Sequence, residues 1–201
     1  LQFPEEDPRH EDASLLGRKM DQLNEIVERV LAFARHDEPR VESVNLERLL
    51  HSLHALTRHK MRQQSVAFEM HIASDLPLIE ADPGQLEQAL LNLTLNAIQA
   101  MPEGGSLTLH AHRHPSRQAC KNIELQFVDT GKGMDAKLFE SKEGLLHSEK
   151  QEGTGLGLMV IRRIIESHSG QLKLTSTSHE GTTISVILPI KRSLQERSEG
   201  T

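Results

Sequence analysis

Apolar residues recur at Leu16, Met20, Leu23, Val27, Val30 and Ala34, in alternating steps of four and three. This is a heptad seam, which calls for a partner helix; a helix resting on its own domain is the alternative. Asp7 and Pro8 precede it as a cap and a first-turn proline. "RHDEPRVESV" then interrupts the pattern with charge and proline and reads as a linker. Leu46, Leu49, Leu50, Leu53 and Leu56 mark a second amphipathic helix, with Asn45 placed to cap it. "VAFEMHI" alternates as a strand, and Asp82-Pro83 repeats the cap-plus-proline signature ahead of a helix containing "LLNLTLNAIQAM".

The second half is rich in period-two alternation. "SLTLHAHRH" puts Leu107, Leu109 and Ala111 on one face, and "NIELQFVDT" alternates up to Asp129-Thr130-Gly131. A polar stretch from Lys132 to Glu152 has weak periodicity and reads as a mobile segment. A helix is predicted from about Thr154 to Ser169, then "QLKLTSTS" and "TTISVILPI" as a closing hairpin around Glu180-Gly181 and a polar tail. The fold class is α/β: an antiparallel or mixed sheet covered by helices, preceded by a helical stalk.

Composition narrows the class. Apolar residues make up 36% and charged residues 26% of 201, enough for a sizeable core, and with five Phe and no Trp or Tyr that core must be aliphatic. A net charge of -6, with no basic patch interleaved with aromatics, argues against nucleic acid. Cys120 is the single cysteine, so no disulfide can form within the chain and a reducing compartment is the simple reading. No apolar run approaches the roughly 20 residues needed to cross a bilayer, so no membrane contact is expected of this stretch. The opening "LQFPEEDPRHED" begins mid-pattern, and the chain is expected to be a piece of something longer.

Three pieces carry candidate chemistry. Asn92 and Asn96 lie four residues apart on one helix face, extended by Gln88 and Gln99, while Leu86, Leu90, Leu93 and Ala97 take the opposite face. Such a stripe must meet water, a ligand or a metal-bound ligand; a solvated outer face would more usually carry Lys and Glu. "DTGKGM", Asp129 to Met134, ends a strand with an acceptor and two glycines that permit a tight turn or close approach to a flat ligand. Alone it could be an ordinary turn. "GTGLGL", Gly153 to Leu158, opens a helix and leaves backbone donors free at its positive end, a ready phosphate site. It is neither the dinucleotide fingerprint, lacking the parallel strand-turn-helix unit, nor a Walker motif, lacking GK[ST].

In this order the three pieces resemble the catalytic ATP-binding domain of sensor histidine kinases, within the superfamily of gyrase, Hsp90 and MutL. "LLNLTLNAIQAM" is similar to that family's asparagine box, "DTGKGM" to its first glycine box and "EGTGLGLMVI" to its second; "EADPGQLEQ" and "EGTTISVILP" also sit where similar segments occur. "MDQLNEIVERVLAFAR" resembles the second helix of the dimerisation and phosphotransfer hairpin. The resemblance implies a Bergerat-type two-layer α/β sandwich, a mixed sheet with helices on one face. Residues 1–37 would be the hairpin helix, 38–192 the catalytic domain and 193–201 a tail.

The resemblance also assigns roles. Asp129 would accept from the adenine amino group, with Thr182 supporting it through water, and Gly131 and Gly133 would border the base. Asn96 would coordinate magnesium, with Asn92 beside the phosphates. Gly153, Thr154, Gly155, Leu156 and Gly157 would line the lid hinge and phosphate path, and Lys150 would reach the terminal phosphate; Asn92 and Lys150 count as catalytic. ATP or ADP, magnesium, a response-regulator receiver domain and a homodimer in the full-length protein are the implied cofactors and partners. The implied location is the cytoplasmic portion of a sensor.

Departures matter too. The family's Phe-rich lid box falls on "EGLLHSEK", where Leu146 and His147 replace two phenylalanines. Gln99 stands where many members have a basic residue. His10-Glu11-Asp12 begins like the phosphoacceptor box, but no proline follows and the position is wrong, so the acceptor is expected outside this chain. Gyrase and Hsp90 relatives carry a water-activating glutamate where Asn92 stands, which disfavours an ATP-hydrolysing clamp. A degenerate scaffold and a serine kinase of the anti-sigma type remain the other readings. His110, His112 and His114 on one strand face, and His51, His54 and His59 on a helix, read as solvated rather than metal-binding, since no acidic or cysteine partner completes a site near the strand set.

Overall fold

A computed structural model describes Met20 and residues 39–114, 122–133, 156–177 and 181–191. The chain divides into two compact units, Leu1–Asp37 and Glu38–Thr201. Of the first only Met20 is described, helical and exposed, so the rest of the heptad seam and His10 lie outside the described residues, as do Lys150, Gly153, Thr154, Gly155, the lid box and the tail.

In the second unit, β1 (Glu42–Val44) pairs antiparallel with β3 (Ile79–Ala81). This corrects the linker reading of "RHDEPRVESV": a three-residue strand is too short to show a period. Helix α1 (Leu46–Gln63) starts where Asn45 accepts from the Arg48 N–H at 3.1 Å and buries Leu46, Leu49, Leu50, Leu53, Thr57 and Met61. Leu56 is 57% exposed, against expectation, because the helical period carries the buried stripe to Thr57, whose hydroxyl donates to the Leu53 carbonyl at 2.8 Å.

A five-stranded sheet has the order β2-β4-β5-β7-β6, with β2 (Val66–Ile72), β4 (Gly105–Arg113), β5 (Asn122–Asp129), β6 (Gln171–Thr177) and β7 (Gly181–Pro189). Only β2 and β4 pair in parallel, which requires a crossover, and the chain between them supplies α2 (Pro83–Gln99). The sheet is therefore mixed. Leu107, Leu109 and Ala111 of β4 and Ile123, Leu125 and Phe127 of β5 are buried, alternating with half-buried polar neighbours. Among the described residues the hydrophobic core is aliphatic apart from Phe127, and each fully buried Leu or Ile contributes about 1.5–3 kcal/mol.

Helix α3 (Leu156–Ser167) stops short of the predicted Ser169. Ser169 adopts φ 57, and the N–H groups of Gly170 and Ser169 turn back to the carbonyls of Ile165 and Glu166, a left-handed cap that ends the helix.

Candidate functional site

Strand alternation explains how a carboxylate comes to be buried at the end of β5. Ile123, Leu125 and Phe127 occupy its core face, and Asp129 is the next residue in that series, 8% exposed. Its Oδ1 accepts from the Gly131 N–H at 2.9 Å, and Thr182 stands opposite it in the β5–β7 register, where its backbone and hydroxyl favour the charged carboxylate. Thr182 is thus a neighbour of Asp129, buried at 6% exposure. Burial raises the Asp129 pKa above the ordinary carboxylate value, and these hydrogen bonds only partly oppose it. A carboxylate offers about four lone-pair sites, and the Gly131 N–H takes one of them, so capacity remains for a further donor.

The turn after Asp129 is locked against the C-terminal end of α2. Lys132 N–H donates to the Ala100 carbonyl at 3.1 Å, and a Cβ on Gly131 would come within 2.7 Å of that same oxygen. Gly133 follows with φ 75. Thr130, which the sequence did not single out, joins the turn to the start of β4: its hydroxyl accepts from the Ser106 N–H at 3.0 Å. At Gly181, φ is 99 and a Cβ would overlap the Asp129 carbonyl oxygen. Two glycines therefore set how closely α2 and β7 approach Asp129.

Helix α2 carries the asparagine pair. Asp82 accepts from the Gln85 N–H at 3.0 Å and Pro83 follows in the first turn, as predicted. Leu86, Leu90, Leu93 and Ala97 are buried, Asn92, Asn96 and Gln88 half-buried, and Gln99 exposed. The polar stripe thus lies at the core's edge rather than on an open outer face. Asn96 meets α3: a Cβ on Gly157 would sit 3.5 Å from its Oδ1 and 3.6 Å from its Nδ2. Leu156 opens that helix. The structure thus brings Asn96 to Gly157 and Asp129 to Gly131 and Thr182, the two groups joined through α2. A separate cleft of about 360 Å³ lies at the N-terminal ends of α1 and α2, lined by Glu42, Asn45, Arg48, Pro83 and Glu87 among others. None of the predicted site residues lines it.

The strand histidines have one acidic neighbour. Cross-strand register puts Glu124 opposite His112, with Oε2 3.5 Å from His112 Nε2 and 4.0 Å from His114 Nε2. Register, not sequence distance, supplies it. His110 stacks on His71 with ring centroids 5.0 Å apart. Among the described residues no group of three His, Cys, Asp or Glu could hold a metal ion, so no zinc site is assigned there.

The sequence profile of the histidine kinase-, DNA gyrase B- and HSP90-like ATPases matches residues 81–192, more than half of the chain and all the described site residues. The chain belongs to this ATPase family. It is 30% identical over 181 residues to the sensor histidine kinase ZraS of Escherichia coli strain K12, covering 90% of this chain and 38% of ZraS. The chain thus spans well under half the length of that relative. Histidine kinase ThkA, solved in complex with response regulator protein TrrA, superposes with a TM-score of 0.73 at 21% identity, over 98% of this chain and 55% of that one. ShkA, solved full-length with AMPPNP, superposes with a TM-score of 0.68 at 24% identity, over 92% and 38%. At such identities the two structures establish the fold of this ATPase-family chain, a mixed α/β sandwich.

Proposed function

We propose that this chain is the ATP-binding catalytic part of a sensor histidine kinase, residues 38–192 being the catalytic domain, 1–37 the second helix of a dimerisation hairpin and 193–201 a tail. One observation carries the reading. Asp129, buried yet with acceptor capacity to spare, stands by the C-terminal end of the helix whose Asn96 meets the first turn of α3. An acceptor for an exocyclic amine and a positive helix end for phosphates are then joined through one rigid element.

Each residue has a role on this reading. Asp129 accepts from the adenine amino group, Thr182 orients its carboxylate, and Gly131 and Gly133 let the backbone lie along the base. Asn92 lies beside the phosphates, and the stretch Gly153, Thr154, Gly155, Leu156 and Gly157 supplies backbone donors. Lys150 reaches the terminal phosphate. The Asn96 carboxamide fits magnesium: it is a neutral, hard oxygen donor at the core's edge, beside a glycine whose missing side chain leaves it uncovered. Magnesium, when bound with the nucleotide, neutralises phosphate charge.

In the parent protein the terminal phosphorus leaves the β-phosphate oxygen and bonds to an imidazole nitrogen, which loses its proton, and ADP departs. The phosphoryl group then moves to an aspartate of a receiver domain. The names of the relatives, and a neighbour solved with a response regulator, support that sequence of partners. Use of ATP places the domain on the cytoplasmic side; no described helix is long and apolar enough to cross a membrane. Asn92 has no useful basicity for activating water, which favours transfer to a protein over hydrolysis. The test is a titration of this chain with magnesium and ATP, followed by labelled-ATP phosphorylation of the parent protein. Saturable binding and acid-labile phosphate are expected; no binding, or acid-stable phosphate on Ser or Thr, overturns the reading.

A further inference from the structure

His168, just past α3, is 3% exposed, as deeply buried as the aliphatic core. Both of its ring nitrogens are engaged. Nε2 lies 2.9 Å from the backbone nitrogen of Asp82, and Nδ1 lies 2.7 Å from the Ile164 carbonyl. An amide N–H can only donate, so Nε2 must present its lone pair; Nδ1 therefore carries the proton and donates to Ile164. One neutral tautomer satisfies both bonds.

The ring joins elements 86 residues apart, the end of α3 and the cap of α2. The Asp82 cap is itself held, because its carboxylate accepts from the N–H groups of Gln85 and Arg40 at 3.0 and 2.8 Å. The chain beyond His168 has no slack either. A Cβ on Gly170 would lie 2.7 Å from the Ile187 carbonyl oxygen, so this turn is pressed onto β7. At the opposite end of the same helix pair, Gly157 faces Asn96. Helices α2 and α3 therefore run side by side in opposite directions, tied by His168 at one end and meeting at the phosphate side of the candidate site at the other.

We infer that His168 is a positioning residue for the phosphate half of the nucleotide site: it sets the axial register of α3 against α2, and so where the first turn of α3 stands relative to Asn96. The inference rests on the nucleotide-binding reading above. Asp129, Gly131 and Thr182 are held by other bonds, from β5, β7 and the Ala100 turn, so the adenine half does not depend on the ring.

The test compares ATP with adenosine, each titrated with the 201-residue chain in the presence of magnesium, for wild type, His168→Asn and His168→Gln. In His168→Asn the amide stands in for Nδ1 and the acceptor for Asp82 is lost; in His168→Gln the side-chain oxygen takes the place of Nε2. Loss of one such bond should weaken ATP about tenfold in His168→Asn and leave adenosine within about twofold. His168→Gln should recover most of the ATP affinity, and thermal melting checks that each variant is folded. Equal losses for ATP and adenosine, or unchanged ATP binding in a folded His168→Asn, overturn the inference while leaving the nucleotide reading standing. A wild-type chain that binds no ATP overturns both.

Discussion

Asp82 and Asp129 stand near opposite ends of α2, and they use their oxygens differently. Asp82 is a cap: burial opposes its charge, but the N–H groups of Gln85, Arg40 and Gly84 outweigh burial and lower its pKa. Asp129 is buried more deeply, and there burial wins over the donors of Gly131 and Thr182, so its pKa is raised. One carboxylate is committed to backbone donors, from the first turn of its own helix and from Arg40; the other has a charge that the protein donors do not fully compensate. A ligand amine can complete the second but has nothing to add to the first.

The largest effect expected from breaking this contrast is on binding. Asp129→Asn keeps the shape and removes the charge, and should cost about 1.5–3 kcal/mol of nucleotide affinity, the value of a hydrogen bond to a charged group. Calorimetric titration with ADP measures it, and unchanged affinity would remove Asp129 from the base site. Gly131→Ala tests whether the α2 end must approach so closely: its Cβ would press on the Ala100 carbonyl, the Ala100 Cβ and Asp129 Oδ1. Overpacking of this kind should cost about 1–3 kcal/mol of folding stability, read from urea melts. Asp82→Ala should cost about 0.5–2 kcal/mol of stability as a lost cap. ATP affinity should survive that change, because the residue's N–H can still meet His168. A large loss of affinity with intact stability would show that Asp82 is not merely a cap.

Much of this contrast was legible in the sequence, for local reasons. Caps at Asn45 and Asp82 declare themselves by residue type and spacing, and alternation through Leu107–Ala111 and Ile123–Phe127 points to the face that also buries Asp129. The asparagine pair stood out because carboxamides are poor occupants of a helix interior. What escaped depends on pairing between distant residues. Strand β1 needs β3, Glu124 reaches His112 through strand register, and His168 meets Asp82 across 86 residues. Near the end of α3 a lone histidine looks like any cation suited to a helix C-terminus. The early end of α3 was equally hidden, since Ser169 rather than Gly170 takes the left-handed position.

Gly157 tests the proposed phosphate side of the site. Unlike Gly131, it has room: the nearest atoms to an added Cβ are those of Asn96, at ordinary contact distance. Gly157→Ala should therefore leave the fold intact and raise stability by up to about 1 kcal/mol through helix propensity. Nucleotide affinity should fall only a few-fold, as a methyl group enters the space beside Asn96. A destabilised Gly157→Ala would mean that α3 packs more tightly on α2 than these distances allow.

The smallest expected effect is a difference in sign. Asp82 has a lowered folded pKa, so its contribution to stability is present above the ordinary value of 3.8 and is lost as pH falls through the lowered one. Asp129 has a raised folded pKa, so its contribution is present below 3.8 and is lost as pH rises through the raised value. Urea melts of wild type, Asp82→Asn and Asp129→Asn across a pH series separate the two. The wild-type advantage over Asp82→Asn should shrink on acidification below 3.8, whereas its advantage over Asp129→Asn should shrink as pH rises above 3.8. The same sign for both would mean that the Gly131 and Thr182 donors fully compensate the Asp129 charge. The site would then have no deficit for a nucleotide to fill, and affinity for the adenine amine would have to come from elsewhere.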